Sequence, residues 1–322
     1  MSEIGKNIDT AISFLNQGET VAIPTETVYG LSANALKTDS VRKIFEVKER
    51  PTFNPLIIHT DSVEKMELFV EFIPEKAKLL IEKFSPGPLT YVLKKKSIVP
   101  DLVTGGKNSV AIRIPNHPLT LELLKKLDYP LAAPSANPFG FISPTTPQHV
   151  DEQLGHKVPY ILDGGKCQVG VESTIISFLK EIPEILRFGG ISIEQIESVI
   201  GKVNIKVNLL NESPEAPGQL KSHYAPNHQL IIGNIENLIS QSNFKAEKIG
   251  IISFNKVFAN IPAINQKQLS LTGDLDQAAS ELFNTLRELD KQDIDIIYTE
   301  IFPDQGIGKA INDRLNRASS EN

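Results

Sequence analysis

Pro24-Thr25-Glu26-Thr27-Val28-Tyr29-Gly30-Leu31 follows the apolar run Val21-Ala22-Ile23. That run reads as the end of a buried strand. Pro24 has no N–H to give to a ladder, so regular pairing is expected to stop there. Beyond it come hydroxyls at Thr25, Thr27 and Tyr29, a carboxylate at Glu26 and a flexible Gly30. Ligands of open α/β sheets sit at strand ends of this kind, and a hydroxyl cluster there suits a polar ligand held in one orientation. A strand terminus closed by hydroxyl-capped turns accounts for the segment as well.

On the N-terminal side, residues 4–17 place Ile8, Ile12 and Leu15 on one helical face that Gly18 would end. On the other side, a helix is expected over 40–49, running into Lys48-Glu49-Arg50-Pro51. Asn54-Pro55 then opens a strand over 56–58 that closes on His59. Pro51 disfavours a helical Arg50, which would let Lys48 and Arg50 converge on one anion. Cations at a solvated helix end, facing the dipole, read the same way. His59 fits a structural hydrogen bond as well as a ligand contact.

Arg113 stands inside the apolar strand expected over 110–114, after the turn Gly105-Gly106-Lys107-Asn108-Ser109. A buried charge there needs a partner, either a ligand or a salt bridge. Leu131-Ala132-Ala133 leads into Pro134-Ser135-Ala136-Asn137-Pro138. Two prolines make this tripeptide extended and stiff, so Ser135 and Asn137 are expected to point the same way. Ser143 brings a further hydroxyl in the next loop. Gly170-Val171-Glu172-Ser173-Thr174 enters another strand, and Leu186-Arg187 ends one.

Residues 205–228 are turn-rich and weakly apolar, which marks a linker. Its end, Lys221-Ser222-His223-Tyr224-Ala225-Pro226, carries functional residue types unusual in a passive spacer. From 229 onward strands and helices alternate, and 274–290 keeps a 3.6-residue apolar period, the pattern of a small second α/β domain. Gly306-Ile307-Gly308-Lys309 precedes a helix but lacks the full phosphate-loop spacing. The division expected is 1–205, a linker over 206–228 and a second domain over 229–322.

With 322 residues, 40% hydrophobic and 22% charged, the chain is of the soluble globular class. A net charge of −6 argues against global attraction to nucleic acid. A single cysteine, Cys167, excludes an internal disulfide and a multi-cysteine metal site. No run approaches a membrane span and no signal pattern opens the chain, so a cytoplasmic, non-membrane protein is expected.

Taken together, the 24–31 motif, Lys-x-Arg-Pro at 48–51, Asn54-Pro55-Leu56 and Ser-x-Asn at 135–137 resemble the YrdC/TsaC family, the threonylcarbamoyl-AMP synthases. That likeness spans roughly residues 5–205, and the linker with the C-terminal part resembles the long, two-domain form. The resemblance implies an α/β fold: a twisted, mixed open sheet with flanking helices around a positively lined cavity, plus a small Rossmann-like domain. It implies that L-threonine, bicarbonate and ATP, with Mg²⁺, give threonylcarbamoyl-AMP and pyrophosphate. The product would feed a threonylcarbamoyl-transferase complex acting on tRNA, with an RNA contact as a further expectation.

By the same resemblance, Thr27, His59, Arg113, Ala133 and Ser173 correspond to threonine contacts, with Arg113 pairing the amino acid carboxylate. Arg50, Asn54, Ser109, Ser135, Ser143 and Arg187 correspond to ATP contacts, with Asn137 beside Ser135 and Lys48 completing a basic pair with Arg50 at the phosphates. His223 and Tyr224 match a segment that folds over the nucleotide. The family pattern Pro-Gly-Met-x-Tyr-x-His-Tyr has Gln219 and Lys221 in place of Met and Tyr here.

No nucleophile triad, carboxylate pair or metal-ligand cluster stands out in the sequence, so catalysis is expected through positioning and charge stabilisation. Three other readings compete. One is a non-catalytic RNA-binding module, disfavoured by the acidic balance. Another is a carbamoyl-transfer enzyme of the hydrogenase-maturation type, whose cysteine-rich zinc modules are missing. The third is an adenylate-forming ligase for another amino acid, because one methyl discriminates by only ~1–3 kcal/mol.

Overall fold

The computed structural model describes residues 2–207, 215–217 and 224–320. Among the described residues, eleven strands join in one mixed sheet. Their spatial order is Glu3–Gly5, Tyr160–Leu162, Val21–Ile23, Gly30–Asn34, Leu131–Ala132, Ile57–His59, Ser109–Arg113, Leu89–Lys94, Thr174–Ser177, Glu184–Arg187 and Asn204–Ile205. The α/β class and mixed sheet are those expected.

Pairing stops at Pro24, but the chain then returns at once. Val21–Ile23 and Gly30–Asn34 run antiparallel, with Ile23 opposite Gly30, so 24–29 is the loop of a hairpin. The returning strand is Gly-Leu-Ser-Ala-Asn, whose small and polar residues carry little strand signal, yet all five are buried. A Cβ on Gly30 would lie 3.1 Å from the Ala133 Cβ. Its absence lets Gly30 bridge to Ser135 and draws the proline-bracketed segment beside the loop.

The expected N-terminal helix begins later, at Ile8–Asn16, capped by the Asn7 side chain. Residues Glu3–Gly5 instead form an edge strand parallel to Tyr160–Leu162. Helix Thr38–Lys48 ends before Pro51 can act. Glu49 turns left-handed at φ 55°, and the Arg50 N–H closes on the Phe45 carbonyl at 2.9 Å. Ile57–His59 and Ser109–Arg113 run parallel with His59 opposite Arg113, which sets the two side by side.

After Ile205 the first sheet is complete, and a second begins at Gln229. Its four strands, in the order Gln229–Ile232, Ile296–Thr299, Ile249–Ser253 and Gln266–Gln268, are all parallel. The last, Gln-Lys-Gln, is a polar edge strand with no alternation to reveal it in the sequence. Helix Leu275–Asp290 is capped by Asp274 and buries Ala278, Ala279, Leu282, Phe283, Leu286 and Leu289. The apolar cluster around it takes in Val28, Ile142 and Val171 from the N-terminal part, so the two layers share a core. No described helix is long and apolar enough to cross a membrane.

Candidate active site

A pocket of about 590 Å³, its open mouth included, lies between the 24–29 loop, the ends of the central strands, the segments 133–135 and 172–173, and the residues Pro217 and Tyr224. Of the residues expected from the sequence, Thr27, Arg50, His59, Arg113, Ala133, Ser135, Ser173, Arg187 and Tyr224 line it.

On one wall, the Thr25 hydroxyl donates to the Val28 carbonyl at 2.6 Å and accepts from the Thr27 and Val28 N–H groups. This tight turn aims Thr27 at Arg113, whose Nη1 donates to Thr27 Oγ1 at 3.1 Å. Arg113 Nε donates to the Gly87 carbonyl at 3.1 Å, and Nη2 lies 2.7 Å from Glu26 Oε2. Both readings of Arg113 therefore meet in one place, since it has a structural ion pair and still faces the pocket. Tyr29, the third hydroxyl of the motif, is drawn away into the core, donating to the Gly165 carbonyl.

His59 is buried beside Arg113, and burial first, then that guanidinium, pulls its pKa down to about 3. It is thus a neutral imidazole at physiological pH, with Nδ1 free of any hydrogen-bond partner. A folded pKa below the ordinary value near 6.5 means the unfolded chain binds the proton first on acidification. His59 therefore contributes stability that is complete above about pH 6.5 and is lost as pH falls toward 3. In His59→Asn, denaturant titrations are expected to show a slope of unfolding free energy against pH shallower by up to ~1.4 kcal/mol per unit in that window. An unchanged slope would mean that His59 titrates normally.

Two further guanidinium groups, Arg50 and Arg187, line the same pocket. Arg50 is held by Asn54, whose Oδ1 and carbonyl accept at 2.6 and 3.3 Å, and by the Pro55 carbonyl at 2.9 Å. Arg187 donates from Nε to the Ser173 carbonyl at 3.0 Å, from Nη2 to Ser173 Oγ at 3.1 Å and from Nη1 to the Pro217 carbonyl at 3.3 Å. Burial lowers both, Arg50 to about 9 with help from Arg187, and Arg187 to about 10, so both stay charged at neutral pH. Together they form a desolvated cationic wall suited to phosphate.

The remaining expected residues fall elsewhere. The Lys48 ammonium is turned onto the carbonyls of Ser135 (2.6 Å) and Asn137, away from the pocket. Burial, then Arg50, pushes its pKa well down. It pins the proline-bracketed segment in place of completing a basic pair. Asn137 turns from Ser135 and donates to the Pro138 and Phe141 carbonyls at 3.0 and 2.7 Å, so the two do not share a direction. Asn54 acts through Arg50. Ser143 donates to Glu172 Oε1 at 2.6 Å, outside the lining. Ser109 lines a separate, more open cavity with Lys94, Lys95 and Glu215. His223 lies outside the described residues. Lys309 of the glycine-rich turn pairs with Glu194 at 2.7 Å, so nothing there points to an anion.

Glu172 was not singled out from the sequence, yet it is the acidic member of the lining. Its signal was present: a carboxylate next to Ser173, entering a buried strand, must find a partner. Burial pushes its carboxyl up, but Arg314 and Arg187 outweigh that and hold it near 2. Both oxygens are engaged, Oε1 by Ser143 and Oε2 by Arg314 Nε at 2.9 Å. The described residues contain no cluster of three His, Cys, Asp or Glu able to hold a metal. The pocket's own donor set thus does not fit a resident Mg²⁺.

A family model described as telomere recombination matches residues 13–189, and one described as the threonylcarbamoyl-AMP synthase C-terminal domain matches 191–320. Threonylcarbamoyl-AMP synthase of Pyrococcus abyssi is 41% identical over 97% of this chain and 94% of its own, and that of Bacillus subtilis 42% identical over 97% and 92%. A crystal structure of P. abyssi Sua5 complexed with L-threonine matches with a TM-score of 0.92 at 39% identity, covering 99% of this chain and 98% of the other. Full-length HypF, at 20% identity and a TM-score of 0.51 over 57% of this chain and 29% of the other, shares the fold alone. The chain belongs to the threonylcarbamoyl-AMP synthase family, in its two-domain form.

Proposed function

We infer that this pocket joins L-threonine, bicarbonate and ATP into threonylcarbamoyl-AMP with release of pyrophosphate. The observation that carries it is the meeting of three buried arginines in the lining of one pocket. Arg113, with Thr27 and neutral His59, suits an amino acid carboxylate, while Arg50 and Arg187 suit phosphates. The threonine-bound relative supports threonine as the amino acid taken up.

The neutral threonine amine condenses with bicarbonate, with loss of water, to give a carbamate. A carbamate oxygen then attacks the α-phosphorus of ATP in line, and pyrophosphate leaves. Arg50 and Arg187 offset the charge that grows on the leaving group, and their bonds to Asn54, Pro55 and Ser173 fix them before reaction. Ala133 and Ser135 border the reacting groups, and Ser173 orients Arg187. Mg²⁺ would come as the counter-ion of ATP, because Glu172, the one carboxylate lining the pocket among the described residues, is already engaged.

Residues 206–228 are the proposed cover over this chemistry, between a catalytic domain (1–205) and the C-terminal domain (229–322). The Pro217 carbonyl on Arg187 and Tyr224 in the pocket wall support that role. A shielded site suits a carbamate that is short-lived in water. The product would pass, in the cytoplasm, to a threonylcarbamoyl-transferase complex acting on tRNA.

Pyrophosphate release from ATP, measured with threonine and bicarbonate omitted in turn, is expected to require both. Release with threonine alone, under strict exclusion of CO₂, would overturn the carbamoyl step in favour of an aminoacyl-adenylate ligase. Salt-sensitive RNA binding without turnover would overturn the enzymatic reading altogether.

A further inference from the structure

We propose that Arg314, on the last helix of the C-terminal domain, is a positioning residue for the ATP wall: it neutralises Glu172 and holds the 170–173 segment and Tyr224 in place. The inference rests on the reading of the pocket as an ATP site.

Helix Gly308–Ala318 lies far from the pocket in sequence, yet its Arg314 side chain is 0% exposed and reaches into the N-terminal part. Nε donates to Glu172 Oε2 at 2.9 Å and Nη2 to the Phe188 carbonyl at 2.9 Å. Nη1 donates at 2.6 Å to Asp313, which also accepts from Arg317. The guanidinium carbon stands 5.2 Å from the centre of the Tyr224 ring, which also stacks on Phe283 at 5.4 Å. One arginine thus ties a pocket carboxylate, the strand end that follows Arg187 and the end of the linker.

The charge logic explains why an arginine is needed. Glu172 borders a pocket meant for anions and shares it with Arg187. Unpaired, its carboxylate would repel the phosphates and draw Arg187 from them. Arg314 approaches from outside the lining and cancels that charge without entering the pocket. Lys309 on the same helix also bridges the two parts, to Glu194, but only in a solvent-facing pair.

The test uses the full chain and pyrophosphate release. The wild type must first show dependence on threonine and bicarbonate, which separates failure of this inference from failure of the ATP reading. Arg314→Met is expected to raise the KM for ATP about tenfold or more, the scale of one charge interaction in a partly desolvated site, with the threonine KM changed less than about threefold. Adding Glu172→Gln to it is expected to restore most of the ATP KM, since the amide oxygen can still accept from the Ser143 hydroxyl without carrying a charge. Lys309→Ala is expected to match the wild type. Equal effects on both KM values with no recovery in the double variant would reduce Arg314 to a domain anchor and overturn the proposal. Should Arg314→Met not fold, Glu172→Gln alone decides: an ATP KM at or below the wild-type value supports the proposal. A tenfold rise would make Glu172 itself a ligand contact and overturn it.

Discussion

Arg113→Ala is expected to raise the threonine KM by about 30-fold or more while the ATP KM stays within about threefold, the size of one lost buried charge-assisted contact. A guanidinium has five N–H donors. The chain engages Nε with Gly87, Nη1 with Thr27 and Nη2 with Glu26, leaving capacity for an incoming carboxylate. Truncation has a second consequence, because it strands a buried Glu26 carboxylate. Breaking a buried pair from one side costs about 3–5 kcal/mol of stability. The single variant therefore mixes lost binding with lost fold. Arg113→Met combined with Glu26→Gln removes both charges and is expected to recover most of the stability, seen in denaturant unfolding, but none of the threonine affinity. An unchanged threonine KM in that double variant would remove Arg113 from the substrate site.

Arg113 was legible because a charge in an apolar strand is a conflict that the sequence itself displays. The regular helices were legible for a similar reason. Over 274–290 the apolar period is strong, and the structure forms a helix there, Leu275–Asp290. What the sequence hid were elements formed by their neighbours. Gly30–Asn34 and Gln266–Gln268 have almost no strand propensity of their own, and pairing alone makes them strands. Lys48 shows a different limit. Its place near Arg50 was correct, but nothing local says that an ammonium will turn to two carbonyls almost ninety residues away. The link between Glu172 and Arg314 spans 142 residues and two sheets. Each residue advertised only that it needed a partner, and only the packing of the C-terminal domain shows which.

That packing yields the other large effect, Gly170→Ala. Gly170 has φ +76°, where an L side chain adds about 1–2 kcal/mol of strain. A Cβ there would also sit 2.4 Å from the Ser280 Cα and 2.6 Å from the Ala279 carbonyl, both backbone atoms of helix Leu275–Asp290. Neither can rotate away, so the helix or the loop must shift, an overpacking cost of about 1–3 kcal/mol more. Gly140→Ala separates the two terms, because Gly140 has φ +87° but nothing within 4 Å of the added carbon. Denaturant unfolding is expected to place Gly170→Ala about 1–3 kcal/mol below Gly140→Ala. Turnover should fall with it, since Val171, Glu172 and Ser173 follow directly and Ser173 holds Arg187. Equal stabilities would mean that the two layers part easily at this contact. Lower stability with unaltered turnover would mean that the C-terminal domain merely rests on the 170–173 segment. A joint loss would make the close approach of helix Leu275–Asp290 a condition for the geometry of the ATP wall.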